Sequence, residues 1–135
     1  MAEWRRPLPT ITGESMPYWQ ATTRGELLIQ RCRDCKEYQF YPRGICSNCF
    51  NGKIDWVRSS GKGTVWTYTI TRQNRTPGFD DGPYVLALIE LEEGVKMFSN
   101  VVGCDPFEVQ IGMEVEVTFQ RATRDISVPF FKPIA

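Results

Sequence analysis

Histidine is absent from this chain of 135 residues. That absence excludes a histidine general base, histidine metal ligands and any catalytic pair of serine or cysteine with histidine. An excess of charge is also missing, since 16 Lys and Arg balance 16 Asp and Glu, whereas proteins that bind duplex nucleic acid normally carry a basic surplus. No apolar run is long enough to span a bilayer, and the first residues lack the apolar core of a secretory signal. We therefore expect a soluble cytoplasmic protein without membrane contacts.

Four of the five cysteines form two identical C-x-x-C brackets, Cys32 with Cys35 and Cys46 with Cys49. A two-residue gap lets a tight turn point both sulfur atoms at one place, so two brackets supply a tetrahedral four-thiolate site. Disulfides are the alternative, but paired brackets in a cytosolic chain favour a metal. Four protein ligands leave no position for water, which makes the metal structural. We predict zinc, while a rubredoxin-type iron stays open because both metals accept four thiolates.

A short helix is predicted before the cysteines, with Ser15 suited to cap it, Pro17 in its first turn and Gly25 suited to end it. Three short strands are predicted around the brackets, at residues 27–30, 38–41 and 54–57. Residues 14–60 therefore form a helix plus a rubredoxin-like zinc ribbon, and residues 1–13 form an N-terminal extension.

The second half of the chain changes to the alternation of strands. Five are predicted, at residues 63–73, 84–91, 95–102, 113–119 and 128–132. A short helical turn is predicted after the third strand, where Asp105 can cap and Pro106 occupies the first helical position. This order is the one expected of an OB-fold. The sequence thus predicts a mainly β protein whose residues 61–135 form a five-stranded OB-fold barrel.

Aromatic residues in this half have two interpretations. Trp66 and Tyr68, together with Phe98, form either part of the barrel core or a stacking platform for single-stranded nucleic acid. Residues 64–135 contain six Lys and Arg against ten Asp and Glu, which disfavours a groove for phosphates. We therefore expect the core position.

Two further features carry alternatives. The loop Asn74–Pro83 is longer than a hairpin needs and is either a partner-contact or lid segment or a disordered connector. Cys104 lies between an apolar strand and the predicted helical turn. A nucleophile there is the less favoured hypothesis, and a small buried side chain is the more favoured one.

An ordered series of segments resembles one known family, and it covers about residues 14–134. The matching segments are Pro17-Tyr18-Trp19, Gln30-Arg31-Cys32-Arg33-Asp34-Cys35, Gln39-Phe40-Tyr41-Pro42-Arg43, Cys46-Ser47-Asn48-Cys49, Ser60-Gly61-Lys62-Gly63-Thr64-Val65, Pro83-Tyr84-Val85, Ala87-Leu88, Asn100-Val101-Val102-Gly103 and Ile111-Gly112-Met113-Glu114-Val115. The chain resembles the zinc-ribbon plus OB-fold proteins, long catalogued as a domain of unknown function, that accompany thiolases, acyltransferases and acyl-CoA hydratases. One departure is that Lys36 and Phe50 stand where many members have glycine after the second cysteine of a bracket.

The resemblance implies a non-catalytic subunit that forms a hetero-oligomer with a thiolase-superfamily or acyltransferase-type catalytic subunit, completing its acyl-CoA site or scaffolding the complex. Isoprenoid synthesis and the degradation of aromatic acids or steroids are examples of such settings. A coenzyme A thioester would be a ligand shared with the partner. Lys62, Arg72 and Arg75 are candidate contacts to coenzyme A phosphates or to the partner, and solvated surface is the alternative for each. The rival hypothesis is a single-stranded nucleic-acid-binding protein built from the same two modules.

Overall fold

The first part of the molecule is a short helix followed by a small antiparallel sheet. The computed structural model describes residues 4–134. Helix α1 spans Met16–Thr22, and Ser15 occupies its cap position without a side-chain cap bond, because the Ser15 hydroxyl bonds to Thr12 instead. Strands β1 (Leu28–Cys32), β2 (Tyr38–Gln39) and β3 (Ile54–Arg58) follow in the spatial order β2-β1-β3. This sheet carries the turns that hold the cysteines.

The second part is a closed five-stranded barrel. Its strands are β4 (Lys62–Thr71), β5 (Tyr84–Leu91), β6 (Lys96–Val101), β7 (Glu114–Arg121) and β8 (Ser127–Pro133). They close in the order β4-β5-β6-β8-β7, and β6 meets β8 in parallel. A 3₁₀ turn at Pro106–Glu108 follows the third barrel strand, and the Asp105 carboxylate accepts from the Phe107 backbone N–H at 3.0 Å. The predicted mainly β fold with an OB-fold barrel is confirmed.

The predicted core position of Trp66 and Phe98 is wrong. Trp66 is 52% exposed and Phe98 is 62% exposed. The pairing of β4 with β5 shifts register between Val65 and Thr67, and such a bulge moves the residues beyond it to the opposite face. As a result Val65 shares the inner face with Tyr68, while Trp66 points outward, where the Lys96 ammonium lies 5.0 Å from its ring centroid.

Hydrogen bonds and a shared core join the ribbon to the barrel. Ser59, which follows β3, donates to one oxygen of the Glu93 carboxylate at 2.8 Å, and the Ser60 backbone N–H donates to the other at 3.1 Å. The buried Thr22 hydroxyl accepts from the Ser127 backbone N–H at 3.1 Å. One hydrophobic cluster contains residues of both parts, among them Tyr18, Leu27 and Ile29 from the first part and Val85, Ile89, Val115 and Phe131 from the second. The junction therefore fixes the position of the ribbon relative to the barrel. No helix within residues 4–134 is long and apolar enough to cross a membrane.

Candidate functional site

The four bracket cysteines converge on one point. Their sulfur atoms all lie within 4.8 Å of one another, and Cys32 Sγ is 3.6 Å from Cys49 Sγ while Cys35 Sγ is 3.5 Å from Cys46 Sγ. These distances are too long for disulfides. They are close to the edge of about 3.8 Å that a zinc tetrahedron with Zn–S distances of about 2.3 Å requires. The cluster therefore fits a single four-coordinate metal.

The two cysteine turns have the same backbone construction. The N–H of Lys36 donates to the carbonyl of Cys32 at 3.1 Å, and the N–H of Phe50 donates to the carbonyl of Cys46 at 3.0 Å. Lys36 (φ 68°) and Phe50 (φ 62°) both adopt the left-handed conformation that glycine takes most readily. With a non-glycine residue at each of these two positions, both turns keep the same hydrogen-bond geometry, and the backbone of Lys36 and Phe50 is strained.

Crowding of the sulfur atoms separates the acidities of the cysteines. A hydrogen bond from the backbone of Glu37 is the main cause that lowers the pKa of Cys35 to about 7. At Cys49 a hydrogen bond from the Asn51 backbone acts in the same direction, but desolvation and the three neighbouring thiols outweigh it and raise the pKa to about 12. Four thiolates at this spacing thus need a cation among them. Structural zinc meets that need through Cys32, Cys35, Cys46 and Cys49.

The structure places the three basic candidates at two ends of the barrel. Lys62 opens β4 and lies beside Glu90, Glu92 and Glu114 in an open depression, which is a poor environment for an anion. Arg72 follows the other end of β4, roughly 30 Å away along the strand, and its guanidinium lies 4.8 Å from the ring centroid of Phe107.

Arg75 is exposed in the loop that follows Arg72. Within residues 4–134, neither arginine has a carboxylate within 4 Å. Arg72 and Arg75 are therefore two exposed cations that follow the same end of β4 and have no carboxylate within 4 Å in residues 4–134, while Lys62 lies at the other end of that strand.

The loop Asn74–Pro83 is packed against the N-terminal extension. Arg6 Nε donates to the carbonyl of Gly78 at 3.0 Å, and its guanidinium lies 4.6 Å from the ring centroid of Phe79. Gly78 has a φ of 91°, and a Cβ there would collide with the backbone of Arg5 and Arg6. These contacts favour a packed segment over a disordered connector. The role of the extension was missed from the sequence, because a lone arginine gives no signal of the rings around it.

Cys104 is half-buried at the end of the segment that follows β6. Burial, followed by the carboxylates of Glu108 and Asp105, raises the pKa of its thiol. A thiol with a raised pKa is a poor nucleophile at neutral pH. The structure therefore supports the interpretation of Cys104 as a small packed side chain.

A groove that sequence reasoning did not predict lies between α1, the ribbon and the barrel, with a cavity volume of about 550 Å³. We call it the junction groove. Residues of β6 and β8, including Met97, Ser99 and Phe130, form its barrel side, and Trp19 and Phe40 form the side of helix and ribbon. The residues that line the groove are far apart in the sequence, so no local sequence pattern predicts it.

Comparison with known proteins gives matches to two family models. One describes the rubredoxin-like zinc ribbon domain of ChsH2 and matches residues 19–55. The other describes the C-terminal OB-fold domain of ChsH2 and matches residues 56–120. The match to a zinc ribbon supports zinc rather than iron in the four-cysteine cluster.

Individual relatives match nearly the whole chain. It is 35% identical over 130 residues to a probable enoyl-CoA hydratase alpha subunit of Thermomonospora curvata, covering 95% of this chain but only 40% of that protein. It is 37% identical over 117 residues to a DUF35 domain-containing scaffold protein of Methanothermobacter thermautotrophicus, covering 82% of this chain and 88% of the other. A solved structure titled Ltp2-ChsH2(DUF35) aldolase has a TM-score of 0.84 and 33% identity, covering 93% of this chain and 98% of the solved chain.

Proposed function

Since the chain belongs to the DUF35 family of ChsH2-type zinc-ribbon and OB-fold proteins, we propose that it is a non-catalytic subunit of an acyl-CoA-processing enzyme. It forms a hetero-oligomer with a catalytic subunit of the thiolase superfamily or a related acyltransferase, and it scaffolds that complex or completes its acyl-CoA site. The observation that carries the proposal is the likeness to the chain from the Ltp2-ChsH2(DUF35) aldolase structure, which this chain covers almost completely. The matched relatives include a probable enoyl-CoA hydratase alpha subunit, an enzyme named for an acyl-CoA substrate.

The chemistry of the residues agrees with an accessory role. Thiolase chemistry needs a nucleophilic cysteine with histidine groups, and this chain has no histidine. Its four clustered cysteines are committed to a metal with no open position, and its fifth has a raised pKa. The catalytic groups therefore come from the partner.

We assign the contact with coenzyme A phosphates or with an acidic rim of the partner to Arg72 and Arg75. Both are exposed, and the guanidinium of Arg72 is held over the ring of Phe107. A fixed guanidinium loses less side-chain freedom when it binds a phosphate than a free one does. Lys62, at the far end of the strand, would contact the partner rather than the same phosphates.

The test is purification of the tagged full-length chain from its native host, with identification of the proteins that elute with it. We expect a thiolase-type or related acyl-CoA enzyme, whose turnover requires both chains, and we expect the isolated zinc-loaded chain to turn over no acyl-CoA substrate. Robust turnover by the chain alone would overturn the proposal. So would recovery of no such enzyme together with salt-sensitive binding of single-stranded oligonucleotides.

The arginine assignment has its own test. Arg72→Ala and Arg75→Ala should each weaken assembly or coenzyme A-dependent turnover of the complex several-fold without lowering the melting temperature of the chain. Arg121→Ala is the matched control, because Arg121 ends β7 at the opposite end of the barrel from Arg72. An equal loss in all three variants would show a general effect of charge and contradict the assignment.

A further inference from the structure

Among residues 4–134, none of those that line the junction groove is charged. This is unusual on a chain in which 24% of residues are charged. Its volume of about 550 Å³ lies within the range of about 300–1,000 Å³ that is typical of small-molecule sites. An uncharged, largely apolar recess of this size favours an uncharged, largely apolar ligand, since a charge placed there would lose hydration without gaining a partner.

The Tyr18 hydroxyl on the wall of the groove has no hydrogen-bond partner among residues 4–134. Tyr18 is only 6% exposed and packs edge to face against Trp19 and Phe40, so its ring is fixed. Its hydroxyl makes no hydrogen bond within residues 4–134. The indole nitrogen of Trp4 is the only fully buried side-chain polar atom without a partner in that part of the chain. The Tyr18 hydroxyl must therefore reach the open space of the groove, where a ligand can meet it.

A second tyrosine that lines the groove, Tyr41, differs from Tyr18 because its hydroxyl oxygen already accepts a hydrogen bond. The Tyr41 hydroxyl oxygen accepts a hydrogen bond from the Phe98 backbone N–H at 3.0 Å, which fixes the oxygen against the barrel and leaves the O–H free to donate. Burial raises the pKa of Tyr18 far above its ordinary value, so its hydroxyl stays protonated at physiological pH. The groove thus offers, at Tyr18, a hydrogen-bond donor whose ring is fixed by packing in largely apolar surroundings.

We propose that the junction groove binds the acyl portion of a coenzyme A thioester, with apolar carbon against Met97 and Phe130 and an oxygen of the acyl portion accepting from the Tyr18 hydroxyl. The inference rests on the proposed function and adds a substrate-contacting site on this chain itself. Its wall includes Pro9, Thr10 and Thr12 of the N-terminal extension, so the extension contributes to the selection of the acyl group.

The experiment is an NMR titration of the ¹⁵N-labelled, zinc-loaded full chain. The probes are the octanoyl thioester of N-acetylcysteamine, which carries the acyl group without the nucleotide, and coenzyme A without an acyl group. We expect the thioester to shift amide signals of β6, β8 and residues 9–19 in a saturable manner. Coenzyme A alone should leave those signals unchanged. Absence of saturable shifts with the thioester, or equal shifts of the same amides with coenzyme A, would overturn the proposal.

Three variants make the assignment specific. Tyr18→Phe keeps the ring and removes the donor, so it should raise the Kd of the thioester about fivefold. Leu86→Glu places a charge at an exposed position of the groove and should raise it more than tenfold. Tyr38→Phe, outside the groove, is the matched control and should bind as the parent chain does. An unchanged Kd in both groove variants would refute the site, and far-ultraviolet circular dichroism establishes that each variant is folded.

Failure of this inference is distinguishable from failure of the proposed function. Saturable thioester binding without any copurifying acyl-CoA enzyme would support the groove and refute the subunit role. A copurifying enzyme, combined with no thioester binding to this chain, would refute the groove and leave the subunit role standing.

Discussion

Replacing Phe50 by glycine should stabilise the protein, although it removes a large aromatic side chain. Phe50 has a φ of 62° and is 74% exposed. Its left-handed backbone therefore costs conformational free energy, and its side chain recovers little of that by packing. The left-handed conformation costs a residue with a Cβ about 1–2 kcal/mol, while glycine loses about 0.5–1 kcal/mol through the greater freedom of the unfolded chain. The net gain is about 0.5–1 kcal/mol, or about 2–4 °C in Tm for a chain of this size.

The assay is thermal denaturation of the zinc-loaded protein, followed by circular dichroism. Lys36→Gly should give a similar gain, because Lys36 has the same conformation (φ 68°) in the equivalent turn. Ser47→Gly is the control: Ser47 is exposed in the same bracket and does not have a positive φ, so glycine there should lower the Tm. A loss of stability in Phe50→Gly as large as that in Ser47→Gly would refute the argument that the two turns store backbone strain.

The remaining predictions concern the metal, the loop and the junction. Cys46→Ser should abolish the binding of one zinc ion per chain, measured by metal analysis, and leave the ribbon unfolded. An iron-loaded parent preparation would contradict the zinc assignment. Arg6→Ala should speed amide hydrogen exchange across residues 74–83 without changing zinc content; unchanged exchange would show that the cation is not what holds the loop. Glu93→Ala should cost about 2 kcal/mol in a urea titration, since a charged acceptor of two hydrogen bonds is lost, whereas Glu92→Ala, an exposed neighbour, should cost almost nothing.

The strands could be predicted from the sequence because short-range chemistry determines them. The predicted strand 84–91 has the observed bounds of β5, Tyr84–Leu91, since a run of β-branched and apolar residues lies between two turn sequences. The turn after β6 was also predictable, because Asp105 and Pro106 have the residue types of a cap and a first helical position. The metal site could be predicted from local sequence as well. Two identical C-x-x-C spacings indicate a single four-cysteine ligand set, which the structure brings together.

The exposure of Trp66 could not be predicted in this way. Strict alternation places Trp66 and Tyr68 on one face, and only the bulge after Val65 separates them. A bulge depends on how β4 pairs with a strand some twenty residues away, so the sequence of β4 alone does not encode it. The junction groove is the extreme case. It brings together Thr10, Tyr18, Phe40 and Phe130, whose proximity exists only after the ribbon has docked on the barrel.

The N-terminal extension connects these features into one argument about assembly. Arg6 is half-buried among the rings of Trp4, Phe79, Tyr84 and Phe130, all within about 6 Å of its guanidinium carbon. It thereby orders the loop that carries Arg75. A surface that is ordered before binding loses less conformational entropy when a partner docks.

The proposed contacts of Arg72 and Arg75 with a phosphate or a carboxylate would benefit from this order, since the Arg72 guanidinium lies over the Phe107 ring and Arg75 lies in the loop that Arg6 contacts. The same extension contributes Thr10 and Thr12 to the junction groove. One short segment thus contacts both the loop that carries Arg75 and the apolar groove. If the proposed subunit role holds, changes in this segment should alter both the proposed arginine contacts and the proposed acyl site.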